Sequence, residues 1–234
     1  MTKYKRILLK LSGEALSGDK GTGFDEETVL KVAEQIKHIV DQGAEVEIVI
    51  GGGNFWRGRS SQNMDRTKSD QIGVMATVMN ALYMAEILRT IGMKAVVQTP
   101  FKVGNVTEEF SKDRALEHLS NNTVVFFAGG TGHPYFSTDT AAALRAIETE
   151  CDIILLAKNI DGVYDSDPKT NKNASKFDTL TLTEVVEKRL QVMDLTASIM
   201  CMEQELPLLV FALSEKDSIK NAMQDKINGT FITI

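Results

Sequence analysis

The chain has 234 residues, of which 43% are hydrophobic and 25% charged, and a formal net charge of −6 at pH 7. This length suffices to bury a sizeable core, as one large α/β domain or two small ones. The acidic balance argues against a nucleic acid polymer as the main partner. A small anion needs only local positive charge, for which Lys3, Lys5, Arg6, Lys10, Arg57, Arg59, Arg66 and Lys68 are candidates. Two cysteines (Cys151, Cys201) and three histidines (His38, His118, His133) show no metal-ligand spacing. A structural zinc site is not expected, no residue is assigned as a metal ligand, and the thiols read as buried and reduced. No signal peptide is read and no apolar run approaches a membrane span, so a cytoplasmic location without a membrane partner is expected.

In chain order, residues 5–11 (KRILLKL) read as a first strand, interrupted by Lys10 just before Ser12-Gly13. A lysine at the end of a buried strand is costly unless it faces a cleft, an anion or solvent. Gly18-Asp19-Lys20-Gly21-Thr22-Gly23 is a polar, glycine-dense loop. Asp25 reads as the N-cap of a helix with Val29, Val32, Ile36, Ile39 and Val40 on one face, stopped by Gly43. A strand over 46–50 then runs into Gly51-Gly52-Gly53, Asn54, Phe55-Trp56 and Arg57. A strand ending in bare backbone presents amide N–H groups to a phosphate, although the triplet alone equally suits a tight strand–helix turn. Neither the P-loop nor the dinucleotide fingerprint occurs anywhere.

Residues 59–69 read as a polar loop. A long helix is expected from Ser69 or Asp70 to about Ile91, with Asp70 in its first turn. A strand over 95–98, a helix capped by Ser111 through Leu119 and a strand over 123–128 follow. This second strand also ends in glycine, at Gly129-Gly130-Thr131-Gly132, before a helix over 140–150 with Thr138-Asp139 at its entry. Beyond a strand over 152–157 lie Lys158, Asn159, Asp161, Tyr164, Asp165 and Asp167, suited to a solvated turn or a Mg²⁺–nucleotide loop. Helices are read from Thr181 or Thr183 to about Leu190, from 193–196 to about Leu206 and over 218–224. Strands are read over 208–212 and 230–234. This alternation predicts an α/β fold, a three-layer αβα sandwich with a mainly parallel central sheet, without an internal linker. In such sheets ligands bind outside the carboxyl ends of the strands, so two glycine-bearing strand ends imply one cleft.

Phosphoryl transfer needs a cation at the transferred group, backbone amides, Mg²⁺ and an acceptor pocket. Lys10, Arg57, the glycine loops and Asp139, Asp161, Asp167 and Asp194 are suited to these parts. No G-x-S-x-G motif suggests a covalent nucleophile.

The segments LLKLSGEAL, VIGGGNFWRG, GTGHPYFSTDTAAALRA, DGVYDSDP and VMDLTA, in this order and spacing, resemble the bacterial UMP kinases of the amino acid kinase family over essentially the whole chain. The resemblance implies ATP + UMP → ADP + UDP in pyrimidine nucleotide synthesis, with Mg²⁺ accompanying ATP. It implies catalytic roles for Lys10, Arg57, Asp139 and Asp194, the two acids lying around the metal or orienting Lys10. The ATP contacts it implies are Lys10, Leu11, Ser12, Gly13, Gly53, Arg57, Lys158, Asn159, Tyr164 and Asp167. The UMP contacts are Gly52, Asp70 (on the ribose), Thr131, Gly132, His133, Pro134, Tyr135, Phe136, Ser137 and Thr138. Gly18, Asp19, Lys20, Gly21, Thr22 and Gly23 correspond to the family's GTP-responsive region, and UTP inhibition and a homohexamer are further expectations. The N-terminal part of the one domain, residues 1–234, would carry the acceptor nucleotide and the oligomer contacts, and the C-terminal part ATP. Lys158, His133 and the Phe55-Trp56 pair depart from the residues common at those places. Two other readings are a sibling carbamate or carboxylate kinase, against which Asp70 would repel an acidic substrate, and a nucleotide sensor without catalysis.

Overall fold

The computed structural model describes residues 3–56, 64–224 and 226–234. Its strands are β1 (Arg6–Leu11), β2 (Glu45–Ile50), β3 (Lys94–Thr99), β4 (Glu108–Glu109), β5 (Thr123–Phe127), β6 (Ile153–Lys158), β7 (Val163–Tyr164), β8 (Lys176–Phe177), β9 (Thr179–Thr181), β10 (Leu208–Ala212) and β11 (Gly229–Thr233). Its α-helices are α1 (Glu26–Asp41), α2 (Arg66–Thr90), α3 (Lys112–Ser120), α4 (Thr138–Glu148), α5 (Leu182–Glu187), α6 (Leu195–Glu203) and α7 (Ser218–Ala222). Among the described residues, nine strands form one sheet in the order β4-β3-β5-β2-β1-β6-β10-β11-β9. Every pairing in it is parallel except β10 with β11. β7 and β8 make a separate antiparallel pair.

The period of two along a strand assigns its side chains to two helical layers. Ile7, Leu9 and Leu11 of β1 pack with α1, α2 and α7, in a core that includes Val29, Ile36, Met84, Leu88 and Ile219. Leu8 faces the other way, into a core with Ala142, Ala143 and Ala146 of α4 and residues of α3, α5 and α6. Lys10 is two residues on from Leu8, so its side chain emerges on the α4 side. In register it lies between Val49 of β2 and Leu156 of β6, at the centre of the sheet. The α/β sandwich with a mainly parallel sheet is therefore the observed architecture.

Several boundaries differ from the sequence reading, each for a local reason. α2 starts at Arg66, not at Ser69 or Asp70, because the Asp65 carboxylate caps it by accepting the Lys68 N–H at 3.1 Å. α4 starts at Thr138 rather than Thr140, since Ser137 Oγ accepts the N–H groups of Asp139 (3.0 Å) and Thr140 (3.4 Å). It stops at Glu148, and Glu150 turns left-handed at φ 61°. The glycine-dense loop holds a 3₁₀ turn, Gly18–Lys20. The short strands β4, β7, β8 and β9 carry too few residues to show an alternation. α2, with 25 residues, is long and apolar enough to cross a bilayer, contrary to the sequence reading, but here it packs on β3 and α1.

Candidate active site

The carboxyl ends of β1, β2, β5 and β6 meet the N-terminus of α4. Lys10 Nζ lies 2.5 Å from Asp139 Oδ1 in an ion pair whose side chains are 14% and 20% exposed. Burial at this level weakens solvent screening. Asp139 Oδ1 is itself buried and accepts no hydrogen bond among the described residues, which leaves the ammonium as its neighbour.

Asp194 lines the same cavity, of about 900 Å³. Its partners are not Lys10. Asp194 Oδ2 accepts from Ser137 Oγ and from Thr140 Oγ1 (2.8 Å), while Oδ1 caps α6 by accepting the Ala197 N–H at 2.9 Å. Burial pushes this carboxyl up, but the Ser137 hydroxyl, the Ala197 amide and the Thr140 hydroxyl outweigh it and hold Asp194 below the usual carboxylate range. Asp194 thus locks the starts of α4 and α6 together, which fixes where Asp139 stands. Lys158, at the end of β6, donates to the Val192 carbonyl. Burial lowers its ammonium below the ordinary lysine value; Asp139 opposes the shift and Lys10 adds to it. Arg57 lies outside the described residues.

On the β1 side, Leu11 is fully buried, so it offers only backbone, and its carbonyl accepts the Gly51 N–H at 2.9 Å. Ser12 caps the 3₁₀ turn Gly13–Leu16. A Cβ on Gly13 would stand 2.5 Å from Gly51 O and from Asn54 Oδ1. A Cβ on Gly52 would stand 2.9 Å from Ala76 Cβ and from the Gly73 carbonyl, and one on Gly53 3.2 Å from Glu14 Oε1. The triplet is thus a close-approach element in which β1, β2 and α2 meet backbone to backbone.

Lys158, Asn159, Tyr164 and Asp167 come together with Lys10 and Ser12 around a cavity of about 720 Å³. Tyr164 Oη donates to Asp161 Oδ1 at 2.8 Å, and Asp167 Oδ1 accepts the Lys169 N–H at 2.9 Å. The α5–α6 connection closes this cavity with Arg189, Leu190 and Gln191, which sequence reasoning missed because they carry no motif.

A third cavity, of about 250 Å³, gathers Gly52, Asp70, His133, Tyr135, Phe136, Ser137 and Thr138. Thr131, Gly132 and Pro134 do not line it. Thr131 Oγ1 instead accepts the His133 N–H at 3.3 Å, and Gly132 donates to the Gly129 carbonyl at 3.1 Å. Asp70 is held by Arg66 Nε (2.9 and 3.0 Å to its two oxygens) and by the Tyr135 N–H (2.9 Å), with Tyr135 left-handed at φ 73°. Trp56, Arg66 and Thr77 line this cavity too. Trp56 and Thr77 were not read as site residues; Arg66 was named only as a candidate cation, although it lies four residues before Asp70 and that i,i+4 spacing was available as a signal.

The three cavities are contiguous. Ser137 and Thr138 border both the 250 Å³ and the 900 Å³ cavities, and Lys10 and Lys158 border both the 900 Å³ and the 720 Å³ ones. The Lys10–Asp139 pair lies in the central 900 Å³ cavity, and Lys10 also borders the 720 Å³ one. Residues of the glycine-dense loop fall elsewhere. Gly18, Asp19 and Gly21 border a fourth cavity, of about 700 Å³, with Lys31, Lys216 and Lys220; it shares Glu14 and Asn159 with the 720 Å³ cavity, and Lys20, Thr22 and Gly23 do not line it.

Residues 5–212 match the profile of the amino acid kinase family. The chain belongs to the amino acid kinase family. Among similar solved structures is a UMP kinase from Bacillus anthracis, 38% identical, at TM-score 0.94, covering 98% of this chain and 96% of that one. A UMP kinase from Ureaplasma parvum is 37% identical, at TM-score 0.94, covering 99% and 100%. A uridylate kinase from Archaeoglobus fulgidus is 27% identical, at TM-score 0.74, over the full length of both chains. For an amino acid kinase the acceptor varies between members, so the features of the cavities carry the substrate argument.

No group of three or more His, Cys, Asp or Glu side chains placed to hold a metal occurs among the described residues. The Asp139 carboxylate, whose Oδ1 is paired only with the Lys10 ammonium among the described residues, nevertheless suits a cation delivered with a phosphate chain, since Mg²⁺ is commonly bound by one or two carboxylates plus substrate phosphates. Both cysteines are buried, and burial pushes the Cys201 thiol up to about 12, so neither offers a thiolate.

Proposed function

We propose that this chain is a UMP kinase, transferring the γ-phosphoryl of MgATP to UMP to give ADP and UDP in pyrimidine nucleotide synthesis. The observation that carries the reading is the Lys10–Asp139 pair in the central 900 Å³ cavity, which shares Lys10 and Lys158 with the donor-side cavity and Ser137 and Thr138 with the acceptor-side one, in a family member similar over nearly its whole length to UMP kinases.

ATP occupies the side of Lys158, Asn159, Tyr164 and Asp167, with its phosphates over the backbone of Leu11, Ser12, Gly13 and Gly53. UMP occupies the side of Gly52, Asp70 and residues 131–138, with Asp70 on the ribose. A UMP phosphate oxygen attacks the γ-phosphorus in line, forming the new P–O bond as the β–γ bridging P–O bond breaks, and ADP leaves. No phospho-enzyme forms. The Lys10 ammonium compensates charge on the transferred group, a role the resemblance extends to Arg57, while Asp139 orients Lys10 and Asp194 holds the helix start that carries Asp139. Mg²⁺ arrives with ATP and neutralises phosphate charge. The acceptor part is the N-terminal portion of one domain, residues 1–234, which also makes the oligomer contacts. The donor part is the C-terminal portion.

The same resemblance supports GTP activation through residues 18–23, UTP inhibition, a homohexamer and a cytoplasmic location. The deciding experiment is ADP release from MgATP with UMP, CMP, dUMP, aspartate, glutamate or carbamate, each with and without GTP. Turnover with UMP is expected. Turnover only with carbamate or a carboxylate would replace the acceptor, and no turnover from folded, ATP-binding protein would replace the reading with a nucleotide sensor.

A further inference from the structure

Behind the glycine triplet lies a pair of buried amides, on Asn54 (2% exposed) and Asn80 of α2 (0% exposed). They bond reciprocally. Asn54 Nδ2 donates to Asn80 Oδ1 at 3.0 Å, and Asn80 Nδ2 donates to Asn54 Oδ1 at 2.8 Å. A side-chain amide has two N–H groups, and here the second of each goes outward in opposite directions. Asn54 Nδ2 donates to the Gly23 carbonyl at 2.9 Å, and Asn80 Nδ2 to the Gly51 carbonyl at 2.6 Å. The Asn54 carbonyl in turn accepts from Thr22 Oγ1 (2.9 Å) and from the Gly23 N–H (3.2 Å). A continuous hydrogen-bonded chain therefore runs from Thr22-Gly23 through both amides to Gly51, whose N–H bonds the end of β1 beside Gly13.

Nothing about packing demands this. Two apolar side chains would fill the space without the obligation to satisfy four N–H groups, and a buried polar pair is favourable only when every partner is in place. What the amides add is a directional link between two backbone segments. We propose that Asn54 and Asn80 are positioning residues: their amide pair fixes the turn at 51–53 from the Thr22-Gly23 segment, so that turnover depends on how that segment is held. This rests on the reading of residues 51–53 as part of the phosphoryl-transfer site.

The test combines kinetics with backbone amide exchange on the full chain, comparing wild type with Asn80→Ala and Thr22→Val. Thr22 is exposed, so its substitution leaves the core intact. In Asn80→Ala, kcat with MgATP and UMP is expected to fall on the order of tenfold or more while the UMP KM stays within about twofold, since a misplacement near 1 Å is enough for such a loss. Amide exchange should accelerate at 51–53 and at 22–23 together, while β1 and β6 stay protected. Thr22→Val should show the same pattern with a smaller loss. Exchange that changes only beside the substituted residue, or unchanged kcat in either folded variant, overturns the proposal. If Asn80→Ala does not fold, Thr22→Val decides. If the wild-type protein turns over no acceptor, the kinase reading fails and the paired exchange response still decides the coupling.

Discussion

Lys10 and Asp139 meet because Leu8 and Lys10 share one face of β1 while α4 covers that face, which brings an ammonium on the central strand to 2.5 Å from a carboxylate in the first turn of a helix. The pair joins residues 129 positions apart through sheet register and helix packing alone. Its buried, otherwise unpartnered Asp139 oxygen means that Lys10 holds its charge in place when no phosphate is present.

Lys10→Met is therefore expected to lower kcat by about 10²–10³ or more, as loss of a charge-stabilising donor does. Circular dichroism should show the fold retained. Near-normal turnover would remove Lys10 from the transfer step.

Asp70 accepts from Arg66 and from the Tyr135 N–H at the acceptor-side cavity. Asp70→Asn should raise the UMP KM by about tenfold with kcat little changed, the pattern of a ground-state contact. A loss confined to kcat, measured across UMP concentrations, would contradict that role.

Gly13 has no room for a side chain, because the Cβ of alanine would meet Gly51 O and Asn54 Oδ1 at 2.5 Å and Gly53 N at 2.8 Å. Two of those atoms are backbone and cannot rotate away. Gly13→Ala should push the two phosphate-facing segments apart and cost on the order of 10² in kcat/KM. Wild-type kinetics would show that the turn tolerates the shift.

Asp194 caps α6 and accepts the hydroxyls of α4, so Asp194→Ala should lose about 1–2 kcal/mol of stability at neutral pH. Its carboxyl is held below the ordinary aspartate value of 3.8, so its contribution is complete above that value and is lost as pH falls through the lower folded-state pKa. Chemical denaturation from pH 7 to pH 3 should show wild type and variant converging toward the acid end.

Glu47 is fully buried on β2, bonded to Thr149 Oγ1 at 2.9 Å and Cys151 Sγ at 3.3 Å, and burial raises its carboxyl to about 8 against those hydrogen bonds and the Arg6 charge. Between the ordinary glutamate value of 4.5 and about 8 the folded chain binds a proton that the unfolded chain has released, so stability falls as pH rises through that window. Glu47→Gln should abolish this slope. Its urea midpoint should match wild type near pH 4.5 and exceed it increasingly toward pH 8, and parallel curves would place an ionised carboxylate in the core.

Sequence alone determined the order of the main strands and helices, the parallel α/β layering and the glycine-bearing strand ends, because these follow from local periodicity and from residues whose backbone preferences act at short range. It also drew attention to Lys10, Asp139 and Asp194 as suited to phosphoryl transfer, while the part given to Asp70 came from the family resemblance. Tertiary structure decided what each of them touches. Asp194 binds Ser137, Thr140 and Ala197 instead of Lys10, Asp70 is already engaged by Arg66 and Tyr135, and Thr131, Gly132 and Pro134 stand outside the cavity that their neighbours line. Arg189 and Gln191 reach the donor-side cavity, and Asn80 reaches Gly51, only because α5, α6 and α2 fold back over the sheet. The Arg66–Asp70 pair and the Asp194–Ala197 cap are local, but the other contacts depend on register and on which face of a strand a helix covers, quantities set by packing between segments far apart in the chain, so no local pattern encodes them.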